Sequence, residues 1–116
     1  MVGYFPKKGD VVWLEFDPQK GKEIQKTRPA LVISPEQYNL KTGLALFMPI
    51  TSQVKGYPFE VLINAGGVNG AILCDQIRSL DWKARKAQFS CKLPPEQFNE
   101  VVKKLSTLIR EQLQSM

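Results

Sequence analysis

Apolar residues come in short dense runs over the first eighty positions and then settle into a helical rhythm. "GDVVWLEF" (9–16), "PALVIS" (29–34) and "LALFMPI" (44–50) have the aliphatic and aromatic density of buried strands, each bounded by Gly, Pro, Asp or Asn. "FEVLI" (59–63) alternates instead, which turns Glu60 away from its apolar neighbours, and "GAILC" (70–74) and "QIRSL" (76–80) follow the turn-rich "NAGGVNG". Between the second and third runs, "SPEQYN" reads as a short helix start, with Ser34 as N-cap, Pro35 at the first helical position and Gln37 completing a capping box. After "LPPE", Phe98, Val101, Val102, Leu105, Leu108, Ile109 and Leu113 recur three or four apart, one stripe of a helix of about five turns. Too many short strands for a βαβ alternation, closed by one amphipathic helix, predict a mostly β chain with helices: a small twisted barrel carrying a C-terminal α-helix.

Composition bounds this picture. The chain has 116 residues, 43% of them hydrophobic, enough for one modest core, so a single domain over 1–116 is expected. Its apolar runs all fall short of the roughly 20 residues of a membrane span, and "MVGYFPKKGD" lacks the apolar centre of a signal peptide, so a cytoplasmic location and no membrane partner are expected. Cys74 and Cys91 have no metal-ligand spacing and read as small hydrophobes, without a disulfide or a metal.

Charge narrows the partners. Sixteen Lys and Arg against eleven Asp and Glu give a net charge of +5, concentrated in two stretches. Lys20, Lys22, Lys26 and Arg28 surround one acid, Glu23, and five bases between Arg78 and Lys92 face only Asp81. Such clusters suit a polyanion, although a solvated basic face would look the same from charge alone.

The chain has no histidine, which removes Ser-His and Cys-His nucleophile systems, the usual zinc sites and imidazole acid-base catalysis. No GxGxxG or GxxxxGK[ST] loop is present, so no cofactor is expected. Arg28 stands out: Pro29 holds its backbone extended, so the guanidinium projects from a defined strand end. Thr51 and Ser52 end the third apolar run, and Glu23 lies five residues before Arg28. Brought to one rim, a guanidinium, a hydroxyl and a carboxylate would bind a phosphodiester; kept apart, Glu23 and Arg28 form only a surface ion pair.

"GDVVWLEFDPQKGKEIQKTRPALVIS", "YNLKTG", "PITSQVKGYPFEV" and "CDQIRSLDWKAR", in that order, resemble the motifs of the MazF/PemK family of toxin endoribonucleases from toxin-antitoxin systems. The resemblance spans nearly the whole chain. It implies an SH3-like barrel with a C-terminal helix and metal-independent cleavage of single-stranded RNA by the ribose 2′-hydroxyl, leaving a cyclic phosphate and a 5′-hydroxyl. It also implies a homodimer and a cognate acidic antitoxin, with DNA engaged only indirectly through the antitoxin complex. Residue by residue, the family's essential arginine matches Arg28, its strand-end threonine Thr51 and its loop glutamate Glu23. One branch also uses the aspartate that matches Asp75, with an arginine two positions earlier where this chain has Leu73. Some relatives carry histidine where this chain has Lys22. With that family as frame, Lys20, Lys22 and Lys55 are expected to hold phosphates, Gln53 and Gln76 to read base edges, and Phe16 and Tyr57 to stack on bases or pack in the strands. The rival expectation is an SH3-like protein acting by contact alone, as an adaptor or as a gyrase-poison-type toxin.

Overall fold

The structure, a computed structural model, describes residues 3–15 and 27–110. Seven strands and two helices are formed there: β1 (Asp10–Glu15), β2 (Thr27–Val32), α1 (Glu36–Thr42), β3 (Leu44–Thr51), β4 (Glu60–Ala65), β5 (Val68–Leu73), β6 (Arg78–Asp81), β7 (Gln88–Lys92) and α2 (Pro95–Ile109). All strand pairs are antiparallel, in the order β4-β5-β3-β2-β1-β7, with β6 also on β3. The sheet is a half-barrel with two helices, as the periodicity predicts. Among the described residues no helix is long and apolar enough to cross a membrane.

The continuous apolar runs at β1 and β2 have a physical reason: both strands are buried on two faces. Val11 and Leu31 turn to one cluster, with Met48, Ile72 and Leu93, where α2 packs through Phe98, Val101 and Leu105. Val12, Leu14, Ala30 and Val32 turn to the other, with Phe47, Leu80 and Trp82. β3 holds both halves together. One of its edges pairs with β2; the other pairs with β6 along Leu44 to Phe47 and passes to β5 at Ile50 and Thr51.

Two local expectations are corrected. Ser34 does not cap α1, whose N-cap is Pro35 without a side-chain bond. Its hydroxyl instead donates to Asn39 Oδ1 at 2.5 Å and accepts the Leu46 N–H at 2.9 Å, while Asn39, fully buried, donates to the Pro6 and Ser34 carbonyls. Stapling α1 to β3 and to the N-terminal segment has displaced capping. "NAGGVNG" is a turn only at Gly66 and Gly67, both at positive φ as a two-residue hairpin requires; Val68, Asn69 and Gly70 already belong to β5.

The second basic stretch is largely absorbed by the fold. Lys92 pairs at 2.6 Å with the buried Asp10, which also accepts the Tyr4 hydroxyl and the Lys7 N–H. Arg85 donates to the Glu15 carbonyl, and Lys86 lies 3.9 Å from the Glu15 carboxylate. At the opposite end of the strand order, the Ser90 hydroxyl of β7 donates to the Gly66 carbonyl at 3.2 Å. A Cβ placed on Gly66 would lie only 2.7 Å from Cys91 Cβ and Sγ, so the β4–β5 turn rests directly on β7.

Candidate nucleic-acid cleavage site

Arg28 sits inside β2, paired with Leu14 of β1, one residue after the strand begins. Ala30 pairs with Pro49, so continuing that antiparallel register two residues along each strand sets Arg28 opposite Thr51, the last residue of β3. An arginine and a threonine distant in sequence thus come to one cleft because two paired strands end there. Both line a cleft of about 590 Å³ with Trp13, Ser52, Gln53, Asn69 and Gln76 among its other walls.

A second depression of about 230 Å³ adjoins it, lined by Lys55, Tyr57, Phe59, Glu60 and Asp75. Thr51, Gln53, Leu73 and Gln76 belong to both, so Thr51 stands on the wall between them. The structure therefore brings Arg28, Thr51, Gln53, Lys55, Asp75 and Gln76 to one continuous surface. Glu23, Lys20 and Lys22, with Phe16 and Lys26, lie outside the described residues.

Local bonding prepares these groups. Thr51 Oγ1 accepts the Gln53 N–H at 3.1 Å, which fixes the hydroxyl oxygen and leaves its proton to be donated outward. The Glu60 carboxylate accepts the Gly56 N–H at 2.9 Å and the Lys55 N–H at 3.2 Å, tying down the segment between β3 and β4. From the other side, Lys104 of α2 donates to the Pro58 carbonyl at 2.6 Å. Tyr57 is 61% exposed, with the Lys55 ammonium 5.9 Å from its ring centre, an open aromatic face beside a cation. Asp75 and Gln76 are held by the turn after β5, where the Cys74 N–H donates to the Phe59 carbonyl and the Gln76 N–H to the Leu73 carbonyl.

Cys74, next to Asp75, is not a nucleophile in waiting: burial, ahead of its charged neighbours, pushes its thiol up to about 11. Among the described residues no group of three or more His, Cys, Asp or Glu is arranged to hold a metal ion. What remains is a guanidinium, a hydroxyl and amides around a groove with an exposed aromatic ring. That set can neutralise a phosphate and stack an unpaired base. Sequence reasoning missed Trp13 and Asn69 as cleft walls. Trp13 was hidden inside an apolar run, where its outward edge leaves no signal.

Comparison with known proteins places this geometry. Residues 7–109 match the family described as PemK-like, MazF-like toxin of type II toxin-antitoxin system. The Escherichia coli K12 protein named endoribonuclease toxin MazF is 44% identical over 106 residues, covering 91% of this chain and 96% of that one. The Escherichia coli endoribonuclease PemK is 33% identical over 89% of this chain and 81% of its own length. A Deinococcus radiodurans MazE-MazF crystal structure superposes with a TM-score of 0.85 at 47% identity, covering 95% of this chain and all of the matched one.

Proposed function

This chain belongs to the PemK-like, MazF-like toxins of type II toxin-antitoxin systems, and from that premise we propose that it is an endoribonuclease cutting single-stranded RNA at a short preferred sequence. Arg28 and Thr51, at the ends of two paired strands and lining one cleft, are the observation that carries the reading. In the proposed step the ribose 2′-oxygen attacks its own phosphorus. A new P–O2′ bond forms and the P–O5′ bond breaks. The 2′ proton passes to a base, the 5′-oxygen takes up a proton, and a 2′,3′-cyclic phosphate and a 5′-hydroxyl remain.

Arginine keeps its proton to a pH above about 12, so Arg28 acts as a clamp on charge developing at the phosphorane oxygens. The Thr51 hydroxyl, its oxygen already engaged by Gln53, donates its proton to a phosphate oxygen. Glu23 is assigned the base by its family position, five residues before Arg28. Lys20, Lys22 and Lys55 hold flanking phosphates, and Gln53, Asp75 and Gln76 face bases beside Tyr57. The need for a 2′-hydroxyl makes such a site cleave RNA and spare DNA. Its substrate is messenger RNA in the cytoplasm, and cleavage stops translation and growth until a cognate acidic antitoxin covers the groove. The MazE-MazF structures of Deinococcus radiodurans support that partner for this chain.

The test is digestion of a long single-stranded RNA with EDTA present, followed by mapping of the ends. Discrete fragments with cyclic phosphate and 5′-hydroxyl ends are expected. Intact RNA overturns the enzyme in favour of a protein acting by contact, and 3′-hydroxyl ends overturn the mechanism.

A further inference from the structure

The cleft depends on a residue that carries no functional group. Gly70 lies in β5, paired with Ile63 of β4, just before β5 joins β3 through Ala71 and Thr51. A Cβ on Gly70 would fall 2.0 Å from the Thr51 carbonyl oxygen, 2.9 Å from its carbonyl carbon and 3.3 Å from Ser52 Cα. These are backbone atoms, so no rotamer change relieves the overlap. The Gly70 φ of 156° is, in addition, a conformation that residues with a side chain seldom adopt. The end of β3 therefore crosses β5 over a bare Cα, at the peptide that carries the Thr51 hydroxyl. The Gln53 N–H that fixes this hydroxyl follows two residues on, along the same path.

We infer that Gly70 is a positioning residue for the cleavage step, setting the Thr51 hydroxyl and its Gln53 contact by letting the two backbones touch. The inference rests on the reading of Thr51 as the hydroxyl that holds the scissile phosphate. Gly66, also at positive φ, likewise leaves no room for a Cβ, but against the Cys91 side chain and not against backbone. Gly43, which ends α1 at a φ of 74°, has open space where its Cβ would stand, so it separates backbone strain from contact with the site.

Five proteins decide the matter, the four with and without Gly70→Ala and Thr51→Ala and a Gly43→Ala control, each assayed for kcat and KM on an RNA oligonucleotide, for melting, and for hydrogen exchange at the Gln53 amide. Gly70→Ala is expected to melt cooperatively and to lose about 10- to 100-fold in kcat, the scale of a displacement near 1 Å at a reacting group. KM stays within about twofold, because the phosphate and base contacts elsewhere are untouched. In the Thr51→Ala background the same change costs less than about threefold, since the group it displaces is already gone. The Gln53 amide exchanges faster in Gly70→Ala, whereas Gly43→Ala lowers melting and leaves both kcat and that amide unchanged. An unaltered kcat, an equal loss in both backgrounds, or a Gly70→Ala chain without cooperative melting overturns the inference. A parent protein that leaves RNA intact overturns the nuclease reading instead, and the Gln53 amide still reports whether Gly70 positions Thr51.

Discussion

Arg28 is where residue chemistry and function meet most directly. If Arg28 stabilises charge on the phosphate as proposed, its replacement by Ala removes that donor without touching the core, so single-turnover cleavage should slow by about 100- to 1000-fold while the melting curve is kept. Arg28→Lys should also be poor, because an ammonium does not reproduce the planar two-pronged contact to phosphate; a lysine form as fast as the parent would mean that charge alone suffices. Cys74 gives a prediction of another kind. Its thiol is raised from an ordinary 9.0 to about 11 by burial, so the folded state keeps a proton that the unfolded chain has released. Stability is then fully present below about pH 9 and falls as pH rises towards 11, by roughly 2–3 kcal/mol if this group acts alone. Tyr4, also raised by burial and then by Asp10, extends the decline at still higher pH. Denaturant titrations under reducing conditions should show this slope, and Cys74→Ala should flatten its lower part.

Elements were legible where burial was one-sided or complete, and obscure where function or partial exposure blurred the pattern. The alternation of Glu60, Val61, Leu62 and Ile63 and the Phe98, Val101 and Leu105 part of the α2 stripe follow from which side meets the core, whereas Val102, Leu108 and Ile109 of the expected stripe are exposed and Leu113 lies outside the described residues. β7 gave no such signal. "QFSCK" is half open to solvent and includes an exposed Phe89, so it lacks the apolar density that marks β1. The site shows the same division: Pro29 pointed to Arg28, but its place on one cleft with Thr51 depends on a pairing of strands that no local pattern encodes. Nor did "VNG" disclose a contact across the sheet, since a glycine needed for close approach reads like a glycine needed for a turn. The β3–β4 segment also yields a prediction. Glu60→Ala removes the acceptor for two backbone N–H groups, and at about 1 kcal/mol per hydrogen bond this should raise KM for RNA by up to about 30-fold, with kcat changed less. Faster exchange at the Lys55 and Gly56 amides would accompany it. Glu60→Gln, which keeps an acceptor oxygen, should restore most of the affinity.

For the whole molecule the expected assembly is a two-fold dimer, in which the cleft of one subunit continues into a longer groove able to hold several nucleotides. Sedimentation at micromolar concentration should give the dimer mass, and a monomer there would remove the extended groove. An acidic antitoxin tail should compete with RNA for the same cations, so a toxin-antitoxin complex that binds RNA at full affinity would rule out occlusion. The curvature that brings the β4–β5 turn onto β7 makes the first and last members of the strand order touch at Gly66, Ser90 and Cys91. Cys91 is thereby a built-in clock for the opening of the half-barrel. Cys91 is partly exposed, so a thiol reagent reacts there at a basal rate that rises when the turn lifts and uncovers the side chain that Gly66 rests on. The same hairpin carries Gly67, Asn69 and Gly70, so a ligand that spans the cleft and holds β5 against β3 should slow that clock without ever approaching the sulfur.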